Sequence, residues 1–330
     1  MSDLAVKDGT TLDFEPYRSE LTGYCYRMLG SAFDADDAVQ ETLVRAWQAF
    51  DRFEGRSAVR SWLYRIATNV CLDALRSRQR RALPMDFSPA VPASSALGEA
   101  LPEATWITPL PGSGAGPEDP AERAVASEGI RLAFIAALQF LPPRQRSVLI
   151  LREVLSWQAS EVAELLDTSV ASVNSLLQRA RATLATSTRQ EGAVVGSEDL
   201  DADDRALLDR YLVAFERYDI ESLVALLHED ASLSMPPFAL WLRGRDSARE
   251  WYLGTGIGCK DSRLVPLVAN GMPAFGHYKP SGPGGDLEPW AVQVLEVRGG
   301  KVAHIHHFLT NLDGEGSPLF ERFGLPASPA

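Results

Sequence analysis

Basic and aromatic side chains recur at helical spacing in SWLYRIATNVCLDALRSRQRR, residues 61–81. Leu63, Ala67 and Val70 mark one apolar face of the predicted helix. The opposite face carries Trp62, Arg65, Asn69, Arg76 and Arg80. Arginine pairs with phosphate and an aromatic ring stacks on bases, so this pattern is typical of a surface that binds nucleic acid.

The preceding segment, DADDAVQETLVRAWQAF (residues 34–50), has the opposite character. It predicts a helix whose apolar face is formed by Val39, Leu43, Ala46 and Phe50. The other side is acidic and polar, with Asp34, Asp37, Glu41 and Gln48. An acidic helix followed by a basic helix indicates two partners, one a protein and the other a nucleic acid.

A second candidate site lies in SWQASEVAELLDTSVASVNSLLQRARATL, residues 156–184. The pattern predicts two helices joined by a tight turn at Asp167 and Thr168, with Ser169 as the N-cap of the second helix. The polar residues that this second helix turns outward are Ser172, Asn174, Ser175, Gln178, Arg179 and Arg181. This is a helix-turn-helix pattern, although other helical hairpins share it.

Charge and cysteine content limit the classes of function. The net charge of −12 at first argues against a nucleic-acid partner. However, residues 12–84 are nearly balanced, with 11 basic and 10 acidic side chains, whereas residues 191–330 hold 12 and 21. The three scattered cysteines exclude a disulfide scaffold and a CxxC metal site. We expect no membrane span, no secretory signal and a cytoplasmic protein.

The elements that position these side chains fall into separate segments. Helical patterns cover residues 12–84, where we expect the basic helix to run from about Arg60 to Arg81 before Pro84, and again residues 122–190. Between them, residues 85–121 form a linker rich in Pro, Gly and Ala. Its PEATWITPLP stretch is too apolar for a free tether, so we expect it to dock on a neighbouring domain or to form a small cluster under a loop.

The last third of the chain is different in kind. After an acidic linker (residues 191–202), residues 203–327 predict two helices and then several strands. The strand patterns are ASLSM, RLVPLVA, AVQVLEV and KVAHIHHFL. Helices followed by strands favour an α+β domain with an antiparallel sheet.

In these segments the chain resembles a known family. DADDAVQETLVRAW, FEGRSAVRSWLYRIATNVCLDALR and LPPRQRSVLILREVLSWQASEVAELL are similar to the extracytoplasmic-function (ECF) group of sigma-70 transcription initiation factors. The part from RALLDRYLVAFERYDIESLVALLHEDASLSMPP onward resembles a SnoaL-like domain, the cone-shaped fold of nuclear-transport-factor-type proteins. The resemblance implies a multidomain fold, with two all-α sigma domains (a region 2 bundle and a region 4 helix-turn-helix) before the α+β cone.

The resemblance also implies roles and partners. The acidic helix would dock on the clamp helices of the largest subunit of core RNA polymerase, through Asp37, Gln40, Glu41 and Trp47. The basic helix and the loop before it would open promoter DNA, with Arg56 and Arg60 joining the residues named above. The helix-turn-helix would read the upstream promoter element, although the family often has Lys or Arg where Asn174 and Leu176 stand, which leaves the promoter sequence open.

The function of the SnoaL-like domain stays open at this point. We expect it to regulate the sigma domains in cis, by contact with them or with the linker, and a small ligand in its pocket is an alternative. Some relatives of this fold are enzymes that use a buried acid or histidine. Here His304 and His306 would face one way and His307 the other, so they form no ready metal triad, and ordinary strand histidines are favoured over catalytic ones. The rival functions are therefore a SnoaL-like enzyme or ligand sensor fused to a DNA-binding module, and a DNA-binding repressor. We expect no enzyme activity and no cofactor.

Overall fold

The computed structural model describes residues 4–7, 10–53, 58–77, 79–112, 131–187, 196–197, 200–310 and 317–329. The chain forms two compact units. The first unit comprises Met1–Arg81 and Ala115–Gln190, and the second comprises Ala82–Gly114 and Glu191–Ala330. Among the described residues, no helix combines the length and the apolar character needed to cross a membrane.

In its described residues, the first unit is helical apart from a two-stranded antiparallel hairpin. Its elements are β1 (Leu4–Lys7), β2 (Thr10–Asp13), α1 (Arg18–Leu29), α2 (Ala32–Ala49), α3 (Val59–Leu75), α4 (Leu132–Gln139), α5 (Pro143–Leu149), α6 (Ala159–Leu165) and α7 (Val170–Ser187). Helix α5 continues into a π-helical turn, Ile150–Val154. The apolar stripe predicted for α2 is buried, with Val39 1% and Leu43 3% exposed, so the hydrophobic pattern gave its orientation correctly.

Helix α3 is shorter than the sequence pattern predicts. It ends at Leu75, and therefore Arg76 is its C-cap residue and Arg80 lies beyond it. The sequence after Leu75 offers no apolar residue until Ala82, so a longer helix would bury no further surface and would depend on propensity alone.

The second unit is built on a six-stranded sheet in the order β4-β3-β8-β7-β6-β5. Its elements are α8 (Ala202–Glu216), α9 (Ile220–Ala225), β3 (Leu227–Ser234), β4 (Trp241–Arg243), α10 (Arg245–Leu253), β5 (Arg263–Ala269), β6 (Met272–Pro280), β7 (Leu287–Arg298), β8 (Lys301–Leu309) and α11 (Pro318–Arg322). Side chains of α8, α9 and α10 form one hydrophobic core with the sheet.

The sheet is mixed, which corrects the expected antiparallel arrangement. β3 pairs with β8 in parallel, whereas the other neighbouring strands are antiparallel. The long connection from β3 to β8 leaves the direction of pairing unrestricted, unlike a tight hairpin. β6 was missed because MPAFGHYKP carries two prolines and a glycine, which weaken a strand pattern.

The described part of the linker belongs to the second unit. The amides of Val91 and Leu101 donate to the carbonyls of Trp241 (3.0 Å) and Pro237 (2.9 Å). Further along, Leu110 and Asn270 exchange two hydrogen bonds: the Leu110 amide donates to Asn270 Oδ1 (2.9 Å) and the Asn270 amide to the Leu110 carbonyl (2.8 Å). The PEATWITPLP stretch is therefore packed, with Trp106 2% and Ile107 0% exposed.

Candidate polymerase and nucleic-acid interfaces

The outer face of α2 is open and mixes acidic with apolar side chains. Asp37, Gln40 and Glu41 are exposed. Trp47 is 57% exposed and Val44 is 42% exposed, which is unusual for residues of this size. Carboxylates beside exposed apolar side chains suit a protein partner that offers cations around an apolar patch. We call Asp37, Gln40, Glu41, Val44 and Trp47 the α2 face.

Asp34 does not lie on this face, contrary to the sequence-based expectation. Its carboxylate accepts a hydrogen bond from Arg81 at 2.7 Å, and the two side chains are 14% and 6% exposed. Ser31 is the N-cap of α2, since its hydroxyl accepts from the Asp34 amide at 3.3 Å. Asp34 therefore joins the start of α2 to the segment after α3 instead of facing a partner.

Trp62, at the start of α3, is half-buried in an aromatic cluster. Its ring centroid lies 4.8 Å from that of Phe53 and 6.2 Å from that of Phe14. Phe50 joins the same cluster through Phe14 at 6.0 Å. A ring held in this way has a fixed orientation and keeps part of its surface exposed. Arg56, predicted to act beside it, lies outside the described residues.

Two of the predicted DNA-contacting arginines of α3 point toward the helix-turn-helix. The Arg65 guanidinium donates to the Glu164 carbonyl at 3.1 Å and lies 3.5 Å from the Glu164 carboxylate. Arg60 pairs with Glu20 at 2.8 Å, and its guanidinium lies 5.7 Å from the centre of the Trp157 ring. The cations are therefore already engaged within the first unit.

The remaining predicted residues of this set are spread over three environments. Asn69 is exposed and lines a groove of about 650 Å³ between α3 and α6, together with Arg65 and Arg144. Arg76 is exposed and lies 3.3 Å from Asp73. Arg80 stacks on Phe140, with 3.8 Å from the guanidinium carbon to the ring centre. All three side chains are exposed, but Arg76 and Arg80 already contact Asp73 and Phe140.

Helix α7 presents the surface predicted for a recognition helix. Val173, Leu177 and Ala180 are buried, whereas the outward set is exposed: Asn174, Ser175, Gln178, Arg179 and Arg181. Ser172 is half-buried, and its amide donates to the Ser169 hydroxyl, which caps the helix. Arg181 pairs with Glu153 at 2.6 Å, so it is the least available of the basic residues.

Arg146 is the main residue that sequence reasoning missed. Its side chain is 3% exposed, and its guanidinium donates to the carbonyls of Met28, Gln139 and Leu141 and to Gln139 Oε1. It joins α1 of the first helical region to α4 and α5 of the second. No local pattern signals this role, because the bond to Met28 spans 118 residues.

In the second unit, polar side chains between α8 and the sheet form a chain of hydrogen bonds that is shielded from solvent, which we call the closed polar chain. Tyr211 donates to Gln293 at 3.1 Å, Gln293 donates to His277 Nδ1 at 3.0 Å, and His277 Nε2 therefore donates to Ser262 at 2.9 Å. Tyr211, His277 and Gln293 are each 0% exposed, so no void the size of a water molecule adjoins them. Their own bonds satisfy the polar atoms that a ligand would otherwise meet.

Two histidines of this interior are neutral at physiological pH. Burial and the neighbouring His307 lower the pKa of His277 well below its usual value. Burial lowers the pKa of His307 to about 3, and its Nε2 lies 3.4 Å from the Tyr252 hydroxyl. The neutral imidazole of His277, with both nitrogens hydrogen-bonded, is suited to packing.

His304 and His306 lie on the opposite face of β8 from His307, as the alternation of strand residues predicts. Their Nδ1 atoms bond to Ser232 (2.5 Å) and Ser234 (2.9 Å), and their Nε2 atoms lie 3.8 and 3.5 Å from the Glu296 carboxylate. Within the described ranges, no group of three His, Cys, Asp or Glu side chains has metal-binding geometry.

Comparison with known protein families places three matches along the chain. The Sigma-70 region 2 family matches residues 14–81, the Sigma-70 region 4 family matches residues 131–184, and the SnoaL-like domain family matches residues 208–305. The α2 face, α3 and α7 therefore lie inside the two sigma regions, and the closed polar chain lies in the SnoaL-like domain.

Full-length relatives share this order. The chain is 44% identical over 320 residues to the ECF RNA polymerase sigma factor SigG of Mycobacterium tuberculosis, which covers 95% of this chain and 83% of the relative. It is 29% identical to SigJ of the same species over 95% of this chain and 96% of the relative. The crystal structure of SigJ superposes with a TM-score of 0.58 and 26% identity over 93% of this chain and 98% of that one. From these matches and the three-part architecture, the chain belongs to the ECF RNA polymerase sigma factors with a C-terminal SnoaL-like domain.

Proposed function

We propose that the α2 face docks on the clamp helices of core RNA polymerase, after which α3 holds the melted promoter strand and α7 reads the upstream promoter element. Promoter DNA and core polymerase are then the two partners, and the site of action is the cytoplasm, where polymerase works. The proposal draws on the sigma-factor relatives and on the placement of these side chains.

The observation that carries it is the difference between the contacts of two sets of residues. Trp47 of the α2 face is 57% exposed, whereas Arg65 and Arg60 contact Glu164 and Trp157 of region 4, although their own side chains stay partly exposed. A chain arranged in this way offers a surface to polymerase before it offers one to DNA. We propose that polymerase binding separates the two helical regions and frees α3.

This order of events also separates the proposal from a DNA-binding repressor. A repressor needs its DNA-contacting residues accessible in the isolated protein. Here Arg80 stacks on Phe140 and Arg181 pairs with Glu153, so part of both basic surfaces is occupied. The isolated chain should therefore bind duplex promoter DNA weakly, and the complex with core polymerase should bind it tightly.

For the SnoaL-like domain we propose regulation in cis instead of catalysis. An enzyme pocket in this interior would be lined by Tyr211, His277 and Gln293. These side chains are joined by hydrogen bonds through Gln293 and are 0% exposed. A small ligand would have to displace these bonds, so an enzyme or ligand sensor is the weaker candidate.

The test is run-off transcription with reconstituted core polymerase, comparing wild type with Glu41→Lys. The substitution places a cation in the α2 face, where a basic partner would be repelled, and we expect co-purification with core polymerase to fall at least about tenfold. The matched control is Asp209→Lys, which makes the same charge change on an exposed residue of α8. Equal loss in both variants, or none in Glu41→Lys, would contradict the proposal.

A further inference from the structure

A cavity of about 360 Å³ lies between helices of the two sigma regions, inside the first unit. Region 2 contributes the end of α3 and the segment that follows it, and region 4 contributes the end of α4 and the start of α5. Pockets that hold small molecules span roughly 300–1,000 Å³, so this cavity has room for one small molecule. Among the described residues that line it there are arginines and glutamines beside apolar side chains, and none of these residues is acidic.

The cavity carries positive charge that the described residues do not balance. Of its arginines, Arg81 pairs with Asp34 at 2.7 Å, which leaves Arg80 and Arg146. Arg80 stacks on an aromatic ring, and Arg146 donates only to uncharged oxygens. Two guanidinium groups therefore line the cavity without a carboxylate partner among the described residues.

Arg146 gives the stronger indication that the cavity takes an anion. Its side chain is 3% exposed, and burial lowers its pKa to about 10, so the group is still protonated at pH 7. Its buried Nε atom has no hydrogen-bond partner among the described residues. Charged groups inside proteins are ordinarily paired, because burial without a partner is costly. A buried cation that lines a cavity and keeps one donor unused is suited to an anionic ligand.

The charge and the lining together indicate the class of anion. A phosphate monoester carries about −1.5 to −2 at pH 7, which matches two guanidinium groups better than a single carboxylate does. Guanidinium groups also bind phosphate through two parallel hydrogen bonds. Leu75, Leu141 and Pro142 supply apolar walls for the rest of the molecule. A phosphate ester with an apolar body uses both features, whereas inorganic phosphate would use only the cations.

We propose that this cavity binds a phosphate monoester of nucleotide size, and that the bound ligand holds regions 2 and 4 together. Leu75 and Arg80 come from region 2, and the opposite wall comes from region 4 with Leu141 and Arg146. The complete site therefore exists only while the two regions are packed together. A ligand that binds one arrangement alone stabilises that arrangement.

The regulatory half of the inference rests on the proposed function, in which core polymerase separates the two regions. The ligand and polymerase would then weaken each other's binding by the same factor, since coupling between two binding sites is reciprocal. The ligand would act as an inhibitor of the free sigma factor. The binding half does not depend on polymerase and can be tested with the chain alone.

The binding arm is isothermal titration of the full-length chain with the four nucleoside 5′-monophosphates, each compared with its nucleoside. At least one monophosphate should bind at one site per chain with a Kd below about 1 mM, and at least about tenfold more tightly than its nucleoside. No saturable binding, or equal binding of nucleotide and nucleoside, overturns the inference. Binding of a single-stranded promoter oligonucleotide but of no mononucleotide would assign these cations to DNA and overturns it as well.

Gln79→Glu locates the site, because it replaces an exposed amide of the cavity lining with an isosteric carboxylate. The added negative charge should repel a phosphate and weaken its binding at least about fivefold. The matched control is Gln48→Glu, the same change on an exposed residue of α2 outside the cavity, which should bind as wild type does. Arg80→Gln, which removes one of the two cations, should weaken binding at least about tenfold. Wild-type affinity in Gln79→Glu or in Arg80→Gln overturns the site.

The coupling arm measures binding of the chain to core polymerase without nucleoside triphosphates, so that the substrates of polymerase do not compete. With a saturating amount of the monophosphate found in the titration, the affinity of wild type for polymerase should fall about fivefold or more, and that of Gln79→Glu should fall much less. Equal polymerase affinity with and without the monophosphate overturns the regulatory half. If wild type fails to bind core polymerase even without the monophosphate, the proposed function itself fails, and the titration still decides the ligand site.

Discussion

At the scale of single residues, His277 and His307 decide how the second unit responds to acid. Both are buried, and burial lowers the pKa of each, that of His307 to about 3. An unfolded histidine has a pKa of about 6.5, so the unfolded chain binds a proton that the folded chain does not. The stability that His307 contributes is therefore present above about pH 6.5 and is lost as the pH falls toward its folded pKa.

We expect the substitution His307→Leu to reduce this acid sensitivity. Between pH 7.5 and pH 5.0, the free energy of unfolding of the second unit should fall by about 2 kcal/mol less in the variant than in wild type. Urea denaturation at the two pH values measures the difference, and the lost contact with Tyr252 affects both values alike. The control is His228→Leu, whose ring is only half-buried. An identical pH dependence in wild type and His307→Leu would show that His307 takes up no proton on unfolding.

At the scale of elements, α7 carries one basic residue that is available for DNA and one that is held in an ion pair. Arg179 is exposed, and the described residues give it no ion-pair partner, whereas Arg181 pairs with Glu153 at 2.6 Å. In a helix that enters the major groove, an available arginine contacts a base edge or a phosphate. The two residues are two positions apart on one helix, which makes them a natural pair for comparison.

We expect Arg179→Ala to weaken promoter binding by the complex with core polymerase about tenfold, and Arg181→Ala to weaken it less. Titration of labelled promoter DNA at two salt concentrations measures both effects. A phosphate contact by Arg179 would reduce the salt slope by about one, whereas a base contact would change the preferred sequence. A larger loss with Arg181→Ala than with Arg179→Ala would mean that the pair with Glu153 opens on DNA.

The type of most elements could be predicted from the hydrophobic pattern, because apolar residues repeat with a different period in helices and in strands. The bounds of β5 and β8 match the runs RLVPLVA and KVAHIHHFL, and the cap at Ser169 was identified correctly. The predicted end of α3 was wrong. The charged residues that follow the helix pair with residues far away in sequence, as Arg81 does with Asp34. The pattern of a single segment holds no information about such partners.

At the scale of the whole molecule, the same limit applies to the candidate site. The sequence predicts which faces of α2 and α7 are polar, and these faces are exposed. It does not predict that Arg65 meets Glu164 or that Arg80 meets Phe140, because those contacts depend on how regions 2 and 4 pack within the first unit. The assignment of these residues to polymerase or DNA remains our proposal.

Substitution of Arg146 would test how the helices of the first unit are held together. Its four bonds join helices of both sigma regions, and Arg146→Ala would leave the Met28 carbonyl and the Gln139 side chain without this donor. We expect the first unit to lose about 3 kcal/mol of stability, as for removal of a buried charged donor. Amide exchange reports each unit separately, so the amides of β7 and β8 should stay as protected as in wild type. The control is Arg144→Ala, an exposed residue of the same helix, which should change stability by less than about 0.5 kcal/mol.

The exposed part of the linker also bears on how long the intact protein survives. Exposed loop segments with small residues are the preferred sites of proteolysis, and Ser94, Ala96 and Ala100 are exposed. From Ala82 to Glu122 the sequence has no Lys or Arg but many alanines, so a trypsin-like enzyme would spare this segment and an elastase-like enzyme would cut it. A cut there would break the covalent link between region 2 and region 4. The lifetime of the transcription signal would then follow from the proteases that the linker meets.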